Sequence, residues 1–268
     1  MNRSIINKKR ELIAASILTV IMAAMDITGF PSALFVNVQF ADVTPMYFTL
    51  MANFVLTGLV CFLGIKIFCP DWHLGLQTEG LISGLRRYAP AGIAALACTF
   101  MGFYIGLQPF DYTPTVWKVL IEGFVYYIGV GIIEELYVRG LLLNIIEKLF
   151  GKRKSAAFWA VIISSVVFGV GHIFTAIGSP AWMIVCKVVS TFGLGVYFGA
   201  VYKKTNCLWV AVILHTVIDF CGVPFCFSTA SVYPEVSMYV ILVVYTLLGI
   251  YGVNIMIKNH NDFAVNTD

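Results

Sequence analysis

Apolar positions in this chain run in long blocks. From Leu12 almost to the C-terminus, short polar breaks separate stretches close to the roughly 20 residues needed to cross about 30 Å of hydrocarbon. Transmembrane strands would alternate apolar and polar residues in segments of about 10, a pattern this sequence lacks. The blocks therefore predict α-helices, which satisfy their own backbone hydrogen bonds in lipid. The predicted spans are roughly 12–37, 46–68, 88–110, 116–149, 156–176, 181–202, 206–222 and 234–257. The fold class is all-α: a polytopic membrane helix bundle with about eight transmembrane helices, forming a single integral membrane domain over 1–268. The fourth block is too long for one crossing and carries charges, so part of it is expected at an interface or beyond the hydrocarbon. The stretch from Asp71 to Arg87, which mixes His73, Glu79 and two arginines, reads as an interfacial helix.

Composition agrees with a lipid solvent. Only 12% of residues are charged and 60% are hydrophobic, against about 25% and 45–50% in soluble domains, and mean hydropathy is +0.89. A net charge of +3 is too small to imply a nucleic-acid partner; membrane lipid is the surrounding medium. The basic residues fall in the N-terminal tail (Arg3, Lys8, Lys9, Arg10) and in the second loop (Lys66, Arg86, Arg87). Others lie in the fourth loop (Lys148, Lys152, Arg153, Lys154), the sixth (Lys203, Lys204) and the C-terminal tail (Lys258). That alternation fits eight spans with both termini cytoplasmic, and six or seven spans would break it. The basic start followed by Leu12 to Ala24 looks like a signal peptide, but no small-x-small cleavage site follows, so it reads as an uncleaved first helix. The seven cysteines form no C-x-x-C pair and suggest neither a disulfide framework nor a zinc knuckle.

Ionisable residues inside a span cost about 2.5–3.5 kcal/mol each on insertion scales, so each asks for an explanation. Glu134, Glu135 and Arg139 sit within six residues of apolar helix. Glu135 and Arg139 are i, i+4, acid before base, and can neutralise one another. Glu134, about 100° around the helix, is left facing another partner and is a candidate base. His172 follows Phe168-Gly169-Val170-Gly171 at the end of the fifth span. His215 and Asp219 are again i, i+4 in the seventh, where a carboxylate can orient the ring or both can meet one ligand. Each cluster alone is as readily structural: a stapling ion pair, a satisfied core imidazole, interhelical glue. Asp26, Glu122 and Lys187 are isolated and read as helix pairing, interface or water-filled cleft. Tyr126, Tyr127, Tyr197 and Tyr202 read as packing and interface residues, and Gly193, Gly195 and Gly199 as a tight packing face.

The order Glu134-Glu135-x-x-x-Arg139-Gly140, Phe168-x-x-x-His172, His215-x-x-x-Asp219 resembles the three-motif signature of the CPBP family, over about residues 116–222. That family groups type II CAAX prenyl endopeptidases with bacterial Abi and bacteriocin-processing or self-immunity proteins. The resemblance implies an intramembrane peptidase in which Glu134, assisted by His172, activates a water, while His215 and Asp219 stabilise the oxyanion. It places Glu135 and Arg139 in the catalytic set. Many members carry Asn where this chain has Asp219, and an ionised Asp accepts where Asn also donates. Asp219 therefore stays protonated, orients His215 or ligates a metal. Glu134, His172, His215 and Asp219 could bind a divalent ion such as Zn²⁺, although the H-E-x-x-H helix of soluble metalloproteases is absent. The implied substrate is a membrane-associated peptide or lipidated protein, and the short tails look bacterial. Two other classes stay open: a non-catalytic immunity or partner protein of the same fold, and a proton-coupled transporter, whose inverted repeats are not evident.

Overall fold

The computed structural model describes residues 3–28, 45–111, 115–230 and 232–259, with side chains of 3–6, 45–55 and 122 left aside. The regular structure of the described residues is all helical, without strands. In chain order the helices are α1 (Arg3–Thr28), α2 (Pro45–Phe68), α3 (Leu81–Gly106) and α4 (Val116–Glu135). A π-helical segment (Leu136–Leu143) joins α4 to α5 (Asn144–Phe150) without a break. Then come α6 (Ala156–Gly171), α7 (Ala181–Thr205), α8 (Leu208–Asp219), a 3₁₀ segment (Phe220–Phe227) and α9 (Glu235–Lys258). Among the described residues seven helical rods are long and apolar enough to cross a membrane, and Leu56–Phe68, the part of α2 whose side chains are described, is a further apolar helix. The expected multi-pass, all-α bundle is borne out.

Two segments differ from the sequence reading, and the long fourth block keeps its expected bounds. α1 reaches back to Arg3, before the expected start, where Lys8, Lys9, Arg10 and Glu11 are good helix formers; the part of the expected span beyond Thr28 lies outside the described residues. The long fourth block is one continuous helix, Val116–Phe150, widened in the middle by the π segment. The expected interfacial helix from Asp71 to Arg87 is corrected: Cys69–Gly80 is a loop, and Arg86 and Arg87 belong to α3 itself. The breaker is Gly80, at φ +83°, where a side chain would also meet the Thr205 carbonyl; Gly75, at φ +72°, lies against the Tyr202 ring. Left-handed backbone of this kind ends a helical run.

That loop is tied down over one end of the bundle. Trp72 Nε1 donates to the Gly140 carbonyl (2.9 Å), Trp209 Nε1 to Leu76 (2.9 Å), and the Leu208 N–H to Gly75 (2.6 Å). Lys148 stands over the Trp72 ring at 3.6 Å. The π segment makes this anchoring possible. Its altered register leaves carbonyls for side-chain donors, and Asn144 Nδ2 joins Trp72 on the Gly140 oxygen at 2.9 Å while also meeting Tyr202 Oη at 3.1 Å.

The glycines of α7 pack as expected, but toward two neighbours. Gly193 faces α9, where a Cβ at Gly249 would come within 2.8 Å of the Gly193 Cα. Gly195 and Gly199 face α6, against Ser165, Phe168 and Val161. α7 and α9 cross backbone to backbone, so Gly193→Ala is expected to force them apart and cost about 1–3 kcal/mol. A lower unfolding temperature in detergent, with the helical content retained, is the expected result.

Candidate active site

α4, α6, α7 and α8 carry their polar residues to one place because each puts a buried face against the others: Gly131 lets α8 approach α4 at Val212 and Thr216, and Gly169 lets α7 approach α6 at Val188 and Phe192. Glu134, His172, His215 and Asp219 all line one cavity of about 390 Å³, with Tyr126, Tyr127, Lys187 and Tyr245 among the other walls. Residues separated by eighty positions in sequence thus share a single space, and Glu135 and Arg139 stand behind it.

His215 is the hub. Its Nδ1 lies 2.7 Å from Glu135 Oε1, and its Nε2 lies 3.5 Å from Glu134 Oε2 and 3.4 Å from Asp219 Oδ2. Glu135 Oε1 also accepts from Arg139 at 2.8 Å, so this oxygen is the acceptor to which the His215 Nδ1 donates. Glu135 Oε2, fully buried, has no hydrogen-bond partner among the described residues. On the far side of the ring, Nε2 and two carboxyl oxygens face one another. Three acceptors cannot share that corner without a proton, so at least one of His215, Glu134 and Asp219 carries it.

Arg139 is 1% exposed and is held on every side. Besides Glu135 it donates to the Gly195 carbonyl at 3.2 Å, and its guanidinium lies over the rings of Phe168 (4.6 Å) and Phe198 (5.4 Å). Phe198 in turn stacks on His215, with centroids 4.7 Å apart and planes at 26°. The aromatic pair therefore orients both the cation and the imidazole. His172 is fixed differently: its Nδ1 is 2.9 Å from the Phe168 carbonyl. A carbonyl only accepts, so Nδ1 carries the hydrogen, and the neutral ring keeps its Nε2 lone pair as acceptor.

Several of these groups carry little or no signal in the sequence. Phe168 was visible only as part of a motif, and Phe198 and the Gly195 carbonyl gave no signal. Tyr126 and Tyr127, read as packing residues, line the cavity. Lys187, read as an isolated charge, lines it too, with its ammonium 5.9 Å from the Tyr233 ring centroid. Asp26 of α1 accepts a hydrogen bond from Tyr137 at 3.0 Å and lies close enough to Glu134 for their charges to interact. The side chain of Glu122 and residue His260 lie outside the described residues, and His73 sits in the capping loop away from the cavity.

The four proposed metal ligands surround the cavity without forming a ligand set. Among the described residues no group of three or more His, Cys, Asp or Glu side chains is arranged to hold a metal ion. The His215 Nδ1 is taken by Glu135, and its Nε2 is turned directly onto two carboxyl groups.

Fold and site together define a class: a polytopic membrane protein with a mostly buried cavity in which carboxyl and imidazole groups converge. Residues 115–221 match the family described as type II CAAX prenyl endopeptidase Rce1-like, a family of membrane proteases. The match runs from the start of α4 through the end of α8, bears out the resemblance carried by the three motifs, and leaves α1–α3 and α9 outside it. No curated protein matches the chain.

Proposed function

We propose that this protein is an intramembrane peptidase that uses Glu134 and His172 to activate a water. The observation that carries the reading is the convergence of Glu134, His172, His215 and Asp219 on one cavity. A water held between the Glu134 carboxylate and the His172 Nε2 lone pair gives its proton to Glu134 as its oxygen attacks the peptide carbonyl. The carbonyl π pair moves onto oxygen, and the new oxyanion receives a hydrogen bond from His215 Nε2–H. Collapse breaks the C–N bond, and Glu134 returns the proton to the leaving amine. Glu135 and Arg139 are positioning residues here: they fix the ring through Nδ1 and do not line the cavity. Asp219 keeps a proton near His215 Nε2, which suits Asp at a position where many family members carry an amide.

The substrate of this reading is a membrane-embedded or membrane-delivered peptide, lipidated or not, in a bacterial membrane. In this reading both termini lie in the cytoplasm. The test is purified protein in liposomes with a peptide library, assayed by mass spectrometry with and without a chelator. Cleavage that survives chelation is expected. Chelator-sensitive cleavage restored by one added metal ion would replace the water-activating pair with a metal, and no cleavage under any condition would favour the non-catalytic partner.

A further inference from the structure

All but three of the 17 lysines and arginines, the exceptions being Lys118, Arg139 and Lys187, lie in the end turns of helices or in the connections at one end of the bundle. The packing shows that these segments do share an end. Lys203 pairs with Glu147 at 2.8 Å, linking the end of α7 to α5. Cys69 Sγ meets the Glu11 carbonyl at 3.6 Å, linking the end of α2 to the start of α1. Gly84 near the start of α3 lies against Thr205 at the end of α7. The Cys69–Gly80 loop, fixed to Gly140, Leu208 and Trp209, caps this end.

The cavity lies at the other end. Its walls come from the last turns of α3 (Phe103) and α8 (Asp219) and from the first turns of α9 (Met238). None of its lining residues on the Val116–Phe150 rod lies beyond Glu134, near the rod's middle. Its described rim is formed by exposed residues of the connections after α6 and before α9: Thr175, Val232 and Tyr233. Toward the basic end the floor is closed by Arg139, Glu135, Phe168 and Phe198, packed on one another.

Basic loops stay on the cytoplasmic side of a membrane. We infer that the cavity opens away from the cytoplasm and takes peptides that have been exported or inserted from the outer side, so that cytosolic chain ends are not its substrates. This rests on the peptidase reading and on the placement of both termini in the cytoplasm, and it names the compartment from which that site is supplied.

Two independent measurements separate the inference from its foundations. Val232→Cys places a thiol on the rim and Lys154→Cys one in the basic α5–α6 loop; neither residue belongs to the catalytic cluster. A membrane-impermeant maleimide applied to intact spheroplasts is expected to add label to Val232→Cys above the wild-type background, and to Lys154→Cys only after lysis or in inverted vesicles. The reverse pattern overturns the inference. Labelling of both from the same side overturns it too, together with the separation of rim and basic loops. The second arm adds an impermeant peptide cut in liposomes to right-side-out and inverted vesicles: cleavage only in the former is expected, and cleavage only in the latter refutes the outward opening. Cleavage in neither vesicle nor detergent, with the labelling as expected, sinks the peptidase reading and leaves the topology standing.

Discussion

Glu134→Gln is expected to remove peptide cleavage, lowering turnover by a factor on the order of 10²–10⁴, while the protein remains folded. The amide keeps the size of the side chain and its place on the cavity wall but cannot accept the proton that a water must lose. Glu134 is also the one carboxylate of its pair that is not tied to Arg139, so its neutralisation leaves no buried cation without a partner. The effect should appear in kcat, with KM nearly unchanged, because a proton transfer belongs to the transition state and not to ground-state binding. Wild-type cleavage by Glu134→Gln, measured on the same liposomes, would remove Glu134 as the base.

Arg139→Met is expected to act on the fold as well as on the site. The guanidinium is nearly fully buried and meets Glu135, the Gly195 carbonyl and two aromatic rings. Taking away one partner of a buried pair leaves the other charge uncompensated, a cost of about 3–5 kcal/mol. Glu135 is already poorly served, since its second oxygen has no partner among the described residues. Without Arg139 its remaining contact among the described residues is the His215 Nδ1, and it would draw that proton onto itself, so that His215 no longer presents both N–H groups. Both thermal stability and activity should therefore fall. Arg139→Lys should recover only part of each, because an ammonium can reach Glu135 but cannot also lie flat over Phe168 and Phe198. An Arg139→Met protein as stable as wild type would mean that the cluster does not bear on folding.

Much of the site could be read from spacing. Glu135 and Arg139 at i, i+4 in apolar helix announced their ion pair, while the meeting of Glu134, His172 and His215 was implied by the resemblance of the three ordered motifs to the CPBP signature and not by spacing alone. What spacing could not supply was partners from other helices. Phe198 is an ordinary apolar residue in its own helix, and its role exists only because α7 lays it against α8. Asp26 looked isolated because Tyr137 is more than a hundred positions away. The π segment was invisible for another reason: shifting hydrogen bonds by one residue inside an already apolar run changes no pattern of polarity. The capping loop failed in the opposite sense. Its mixed charges imitate an amphipathic interfacial helix, while Gly75 and Gly80 adopt left-handed backbone that composition does not reveal. The crossings themselves were legible because lipid requires nothing finer than length and apolarity.

The central claim is that a water in this cavity, with its proton drawn to Glu134, is the direct nucleophile. Single-turnover cleavage in water enriched in heavy oxygen tests it, with excess enzyme so that each molecule reacts once. One heavy oxygen in the new carboxyl terminus of the peptide is expected, with none in the enzyme and no product from Glu134→Gln. Heavy oxygen appearing in a side-chain carboxyl of the enzyme, with the first peptide product unlabelled, would show covalent attack by that residue and contradict the mechanism.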